Sequence, residues 1–272
     1  GASPLRTPAR ALARRCAVVL LTVVLCDTAA AQGDAQAPIQ LFADALAADD
    51  NGSAAFPAAT AARVVALPDQ WALSRPGIDT PLWYRLRFDA PGARQSSAAL
   101  GLLIERVCGN VAVQLNGQPL HAAGRMQDPI ALDCEQPLLL PLPLALLEDK
   151  GNTIDLRLAG YALEQVASRQ RAAALSAPQI GAYDALHALQ RQTVLTKAVL
   201  PQLASSALLM MGLVIVVLGW WHHRERHLLY FGALSMAWAA VTLRPWWHGA
   251  GLGRFGTEAA LVTLIGLATL LA

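Results

Sequence analysis

The chain has 272 residues, of which 55% are hydrophobic and 15% charged, with a formal net charge of +2. That balance excludes a disordered chain and argues for membrane content. With no run rich in lysine or arginine, the sequence offers no electrostatic footprint for nucleic acid, which requires clustered cations.

The first residues read as an export signal. Arg6, Arg10, Arg14 and Arg15 precede an uncharged run from Cys16 to Cys26, and Thr28-Ala29-Ala30-Ala31 supplies small residues for signal peptidase. A cleavable signal peptide over 1–31, cut before Gln32, is expected. Lipidation at Cys26 is disfavoured because Leu25 precedes it where a small residue is wanted. The following domain is therefore expected outside the cytoplasm. With no starting Met, and with Ala259 to Ala272 forming an apolar run too short to span, the sequence is read as a fragment.

After an Ala-rich lead over 32–60, short β-like runs follow one another between turn residues. They are Arg63 to Leu67, Trp83 to Phe88, Ala99 to Val107, Val111 to Leu115, Leu138 to Leu147 and Thr153 to Leu158. Asn116-Gly117 between apolar runs predicts a type I′ hairpin, because both central residues of that turn take positive φ. Pro119 removes a ladder donor from the returning arm and confines it to a sheet edge. Trp83 and Phe88 fall on opposite faces of one strand. Many short strands without a helical period between them indicate an antiparallel sandwich over 61–181.

Leu67-Pro68-Asp69-Gln70-Trp71, Trp83-Tyr84-Arg85, Val113-Gln114-Leu115-Asn116-Gly117-Gln118 and Gly151-Asn152-Thr153-Ile154 together resemble the galactose-binding-like jelly roll, found beside the barrel of β-galactosidase-type hydrolases. The resemblance covers about residues 60 to 160 and implies a non-catalytic fold, so no catalytic residues are carried over. Trp71 and Trp83 are candidates for stacking on a sugar, with core packing as the competing reading. Asn116 and Asn152 read as turn chemistry.

With Cys16 and Cys26 removed in the signal, Cys108 and Cys134 are left as a pair in an oxidising compartment. A disulfide is expected, against two separate thiols. They lack the partners for a metal site, and no metal or cofactor is expected.

The strand pattern fades after Tyr161, and a linker helix is expected over 182–199, with Pro201 allowing a bend. Ala198 to Trp221 carries no charge and is long enough to cross a bilayer. Further spans are expected at about 228–247 and 258–272, with Trp246 and Trp247 at the interface. The orientation places His222 to His227 in the cytoplasm and the Arg244 to Arg254 loop outside. Gly251 to Gly256 fits G-x-G-x-x-G but has no preceding strand, so it reads as a loop. His223 and His227 lack a third ligand and read as a solvated cluster.

The fold class expected is thus an all-β jelly-roll sandwich, galactose-binding-like, followed by α-helical transmembrane spans. An exported jelly roll, Leu175-Ser176-Ala177-Pro178-Gln179-Ile180-Gly181 and then short-looped spans resemble the bacterial seven-transmembrane receptors with diverse intracellular signalling modules, many of them sensor histidine kinases. That resemblance implies the sensory and membrane portion of a receptor in the bacterial inner membrane, multi-pass, with its first domain periplasmic. The implied partners are the membrane, a small-molecule or carbohydrate ligand, and a second copy in a homodimer. The alternative is a membrane-anchored carbohydrate-binding or envelope-assembly module without output. A membrane-bound hydrolase is disfavoured, since Glu105, Asp133 and Glu135 form no recognisable carboxylate pair.

Overall fold

The computed structural model describes residues 39–95, 98–128, 130, 134, 136–166, 168–221, 226–242, 263 and 266. The signal peptide, most of the His222 to His227 cluster, the Arg244 to Arg254 loop with its glycines, and nearly all of the third expected span lie outside these residues.

In chain order the strands are β1 (Gln40–Leu41), β2 (Asp44–Asp49), β3 (Arg63–Ala66), β4 (Asp69–Gln70), β5 (Leu82–Phe88), β6 (Leu100–Ile104) and β7 (Val107–Cys108). They continue as β8 (Asn110–Leu115), β9 (Gln118–Ala123), β10 (Leu138–Leu142), β11 (Asn152–Ala159), β12 (Ala174–Leu175) and β13 (Gln179–Ala182). The larger sheet runs β3-β2-β5-β11-β8-β9, a second runs β1-β13-β6-β10, and β4-β12-β7 form a small third. Every strand pair is antiparallel.

Strict alternation explains the layering. Leu82, Tyr84, Leu86 and Phe88 of β5, Ile154, Leu156 and Leu158 of β11, and Val111, Val113 and Leu115 of β8 point into one core. There they meet Leu102 and Ile104 of β6 and Leu140 and Leu142 of β10. Removing such side chains from water stabilises the fold by about 1.5–3 kcal/mol each. The intervening residues of β5 and β11 carry charge on the opposite face. Arg85 grips Asp155 bidentately at 2.6 and 2.7 Å, and the two are register partners across β5 and β11. Hydrogen bonding to that carboxylate raises the Arg85 pKa above its usual value.

The expected hairpin is present. Asn116 and Gly117 take φ of 50° and 78°, and β8 pairs with β9 from Leu115 and Gln118 outward. The strand carrying Pro119 lies at the edge of the larger sheet. Asn116 and Asn152 have a shared structural task. Asn116 donates to Leu146 O at 2.7 Å and to Asn152 Oδ1 at 3.0 Å, and accepts from Thr153 N–H at 2.7 Å. Asn152 closes its own loop through Glu148 N–H and O. The pair ties the β8–β9 hairpin to the loop entering β11.

One boundary differs from the sequence reading. The Ala-rich lead contains β2, a strand inside the larger sheet between β3 and β5. Its alternation was hidden because Ala45, Ala47 and Ala48 are small enough to be buried on either face. Inside the expected 61–181 sandwich, the stretch after Tyr161, where the strand pattern fades, contributes two short strands. β12 joins β4 to β7, and β13 lies between β1 and β6.

β13 runs straight into α1 (Tyr183–Val194), which continues through a π-helical turn, Leu195–Val199, into α2 (Leu200–Trp221). Tyr183 to Trp221 thus form one helix of 39 residues, apolar and long enough to cross a membrane. α3 (Arg226–Thr242) folds back against α2. Glycines set this close approach: a Cβ on Gly212 would lie 2.9 Å from Met236 Cγ, and one on Gly232 would lie 2.6 Å from Val216 Cγ2.

Candidate ligand cleft and its junction with the long helix

The two tryptophans weighed as sugar-stacking residues are both inside. Trp71 is 0% and Trp83 1% exposed, so neither presents a ring face to a ligand. The reason is local chemistry. Trp71 Nε1–H donates to Tyr84 Oη at 2.9 Å, and the Tyr84 hydroxyl donates to Asp69 Oδ2 at 2.6 Å. Asp69 also accepts from Ser74 Oγ at 2.6 Å, and the Arg75 guanidinium lies 4.5 Å over the Trp71 ring. Burial, reinforced by the Asp69 carboxylate, pushes the Tyr84 phenol far above its ordinary pKa, so it is held protonated as the donor this chain needs. Asp69 and Trp71 of the first motif and Tyr84 of the second thereby form one buried polar seam.

On the outer side of the larger sheet, Trp83 packs with Ala48 and Phe56, and its Nε1–H donates to Asp50 Oδ1 at 3.0 Å. Asp50 also accepts from Arg157 at 2.5 Å. Burial alone would raise the Asp50 pKa; the hydrogen bonds from Arg157 and Trp83 outweigh it and leave the carboxyl below its usual value. Gln114 Nε2–H reaches Ala54 O at 2.7 Å, and Arg85 lies 4.1 Å over the Phe56 ring. The segment between β2 and β3 is thus laid across the sheet.

A concavity among the described residues lies at one end of the larger sheet, where β5 begins and β11 ends. It is a cleft of about 470 Å³ lined by Asp79, Thr80, Gln127, Asp128, Tyr161 and Gln165, with Pro81, Met126 and Ile130 as apolar wall. Gln165 donates to Asp79 at 2.8 Å and accepts from Ala162 N–H at 3.2 Å. The Tyr161 hydroxyl donates to Asp128 Oδ1 and accepts from Ile130 N–H at 3.1 Å. Carboxylates, amides and hydroxyls at the mouth can hydrogen-bond a hydroxylated or amine-bearing small molecule, and among the described lining residues there is no Lys, Arg or His to attract an anion. Sequence reasoning passed over these residues because Asp, Gln and Thr at strand ends look like ordinary turn residues.

Cys108 and Cys134 are joined in a disulfide and pack beside Ala174. The bond ties the segment between β9 and β10, which carries Met126 to Ile130, to β7. Among the described residues no group of three or more His, Cys, Asp or Glu is placed to hold a metal ion.

α1 lies on the outer face of the second sheet. Gly101, a register partner of Gly181, leaves room for it there, since a Cβ on Gly101 would meet Tyr183 Cδ2 at 3.2 Å and Leu186 Cδ1 at 3.4 Å, while the space over Gly181 is filled by Ile39. Leu186 is fully buried, and Tyr183 N–H donates to Ala99 O at 2.8 Å. Further along, Gln190 Nε2–H donates to Pro137 O at 3.0 Å, and Lys197 Nζ pairs with Glu105 Oε2 at 3.2 Å. Glu105 in turn accepts from Gln179 Nε2–H at 3.3 Å, so a residue weighed as a catalytic carboxylate instead joins β13 and the helix to the end of β6. Helix and sheet are in contact from Tyr183 to Lys197.

No protein-family model matches the sequence, and no curated protein matches it. Among solved structures, a glycosyl hydrolase family 2 member from Bacteroides cellulosilyticus DSM 14838 aligns at 15% identity over 53% of this chain, TM-score 0.40. A β-glucuronidase of an uncultured Clostridium aligns at 11% over 57%, TM-score 0.41. A GH2 β-galacturonidase from Eisenbergiella tayi bound to galacturonate aligns at 10% over 56%, TM-score 0.38. The aligned part spans only 20%, 31% and 26% of those proteins. By its own architecture this chain is a mostly β-sheet sandwich carried on a long apolar helix.

Proposed function

We propose that the chain is the sensory and membrane portion of a bacterial signal-transduction receptor of the sensor histidine kinase type. Its sandwich is the galactose-binding-like jelly roll, lies in the periplasm, and takes a small-molecule or carbohydrate ligand in the cleft of Asp79, Asp128 and Tyr161. α2 crosses the inner membrane, α3 returns through it, and further spans follow. Trp220 and Trp221, 69% and 74% exposed, sit at the far interface, where amphipathic rings favour the headgroup level.

The observation that carries this reading is the junction. β13 passes into the 39-residue helix at Ala182–Tyr183 with no intervening linker residue, so a displacement of the second sheet reaches the membrane helix through continuous secondary structure. A passive anchor would work as well on a flexible tether. A ligand acts on such a junction only through different affinities for two of its states.

The test is the coding sequence downstream of Ala272. A histidine kinase or another output domain after the spans is expected; a reading frame that closes without one overturns the receptor reading in favour of a membrane-anchored binding module. Isothermal titration of the full chain in nanodiscs with neutral and amino sugars addresses the cleft, with Asp128→Asn expected to weaken binding at least tenfold.

A further inference from the structure

The helix is regular except at one turn. Leu200 N–H donates to Leu195 O, five residues back, so Leu195–Val199 holds one residue more than an α-helical turn. The cause stands one residue later. Pro201 has no N–H, and in a regular α-helix its ring would meet the carbonyl four residues before it, that of Lys197, which favours opening the preceding turn. Thr196 Oγ1–H turns back onto Gln192 O at 2.9 Å and Thr193 O at 3.3 Å, capping carbonyls beside the widened turn. In the middle of the same turn Lys197 reaches Glu105, which is also bonded to Gln179 of β13.

We propose that this widened turn is a register switch between the sandwich and the membrane helix, with the Lys197–Glu105 pair as its clasp to the sheet. An α-helix advances about 100° and 1.5 Å per residue, so closing the turn rotates α2 by about 100° relative to α1 and lengthens the helix by about 1.5 Å. Rotation is how a sheet that moves little produces a change on the other side of the bilayer. Two features hold the open form. Pro201 opposes closure sterically from the membrane side. The clasp fixes the turn from the domain side, and with Lys197 62% and Glu105 32% exposed it is a weak, screened pair, which biases a two-state element rather than locking it. Its place, between the buried Leu186 contact of α1 with the sandwich and the first residues of α2, puts the change of phase where the Lys197–Glu105 pair is the side-chain tie to the sheet.

The inference deepens the receptor reading but its test needs neither ligand nor output domain, so either can fail without the other. Full chain with Cys16 and Cys26 replaced by serine is placed in nanodiscs. One spin label stands at exposed Asp184, and a second is moved through Leu203, Ala207, Met210 and Met211 for pulsed dipolar distances. Pro201→Ala is expected to shift the phase of the distance pattern by one residue, about 100°. Glu105→Gln is expected to broaden each distribution into two populations, and the exchange of charges in Glu105→Lys with Lys197→Glu to restore a single narrow one. Each variant is checked for an unchanged melting temperature of the sandwich. Unaltered distributions in both Pro201→Ala and Glu105→Gln overturn the switch, and broadening that the charge exchange does not reverse overturns the clasp.

Discussion

The contact of α1 with the second sheet rests most heavily on Leu186, and Leu186→Ala measures it. The side chain is fully buried over the space left by Gly101, so truncation removes its apolar area and leaves a cavity. Leucine-to-alanine changes at such sites cost about 2–5 kcal/mol, and a middle value of about 3 kcal/mol is expected here because a sheet floor collapses only in part. For a domain of this size each kcal/mol lowers the melting temperature by about 2–4 °C, which gives a fall of about 6–12 °C. The assay is thermal unfolding of the full chain in nanodiscs, with hydrogen exchange of residues 183–194 followed in parallel. Gln192→Ala, on the exposed side of the same helix, serves as control and should stay within about 0.5 kcal/mol of wild type. A fall of less than about 2 °C with unchanged exchange in α1 would refute the claim that the helix is docked, and with it the structural basis for transmission.

Other expectations follow from the seams of the sandwich. Cys108→Ser opens a loop of sequence separation 26, worth about 3.5 kcal/mol in the chain-entropy model; its melting temperature should match that of reduced wild type and not respond to reductant. Tyr84→Phe removes the hydroxyl between Trp71 and Asp69 and should cost about 2 kcal/mol or more, read from the urea midpoint. Because the folded Tyr84 pKa is raised, its contribution is whole below the unfolded value of about 10 and is lost as pH rises past it, so the wild type should lose its alkaline stability faster than Tyr84→Phe does. Asp50 has the opposite sign. Its folded pKa is lowered, so its contribution is present above the unfolded value and lost as pH falls through the folded one; Asp50→Asn should flatten the acid limb of the stability profile.

What was legible in the sequence was what alternation and turn chemistry encode. The β5, β8 and β11 strands announce themselves by large apolar residues at every second position, and Asn116-Gly117 by the backbone it requires. β2 was illegible because alanine carries too little side chain to mark a face, and β13 because four residues are too few for a period to show. Trp71 and Trp83 look like ligand platforms in a list of aromatic residues; only the hydrogen bonds to Tyr84 and Asp50 show that one indole is turned into the core and the other is covered on the outer face. The cleft could not be found at all, since its walls come from three loops separated by dozens of residues. Pro201 did signal an irregularity, but as a bend: the chain meets the missing donor by widening the preceding turn, which keeps the helix continuous.

The location of the cleft follows from what the rest of the surface is doing. A sandwich has two broad faces and two ends at which to hold a ligand. The outer face of the larger sheet is taken by the segment between β2 and β3, fixed by Phe56 on Trp83, by Arg85 over Phe56 and by Gln114 on Ala54. The outer face of the second sheet is taken by α1. One end is sewn shut by Asn116, Asn152 and the carbonyls of Leu146 and Glu148. The other end keeps the concavity, and there the disulfide tethers the segment that supplies Met126 to Ile130. The same segment ends at Pro137, whose carbonyl is held by Gln190 of α1. Under the proposed receptor reading, a ligand against Met126 to Asp128 and Ile130 and the helix held at Pro137 would sit at the two ends of the stretch that the disulfide tethers, an arrangement that a sensor needs and an anchor does not.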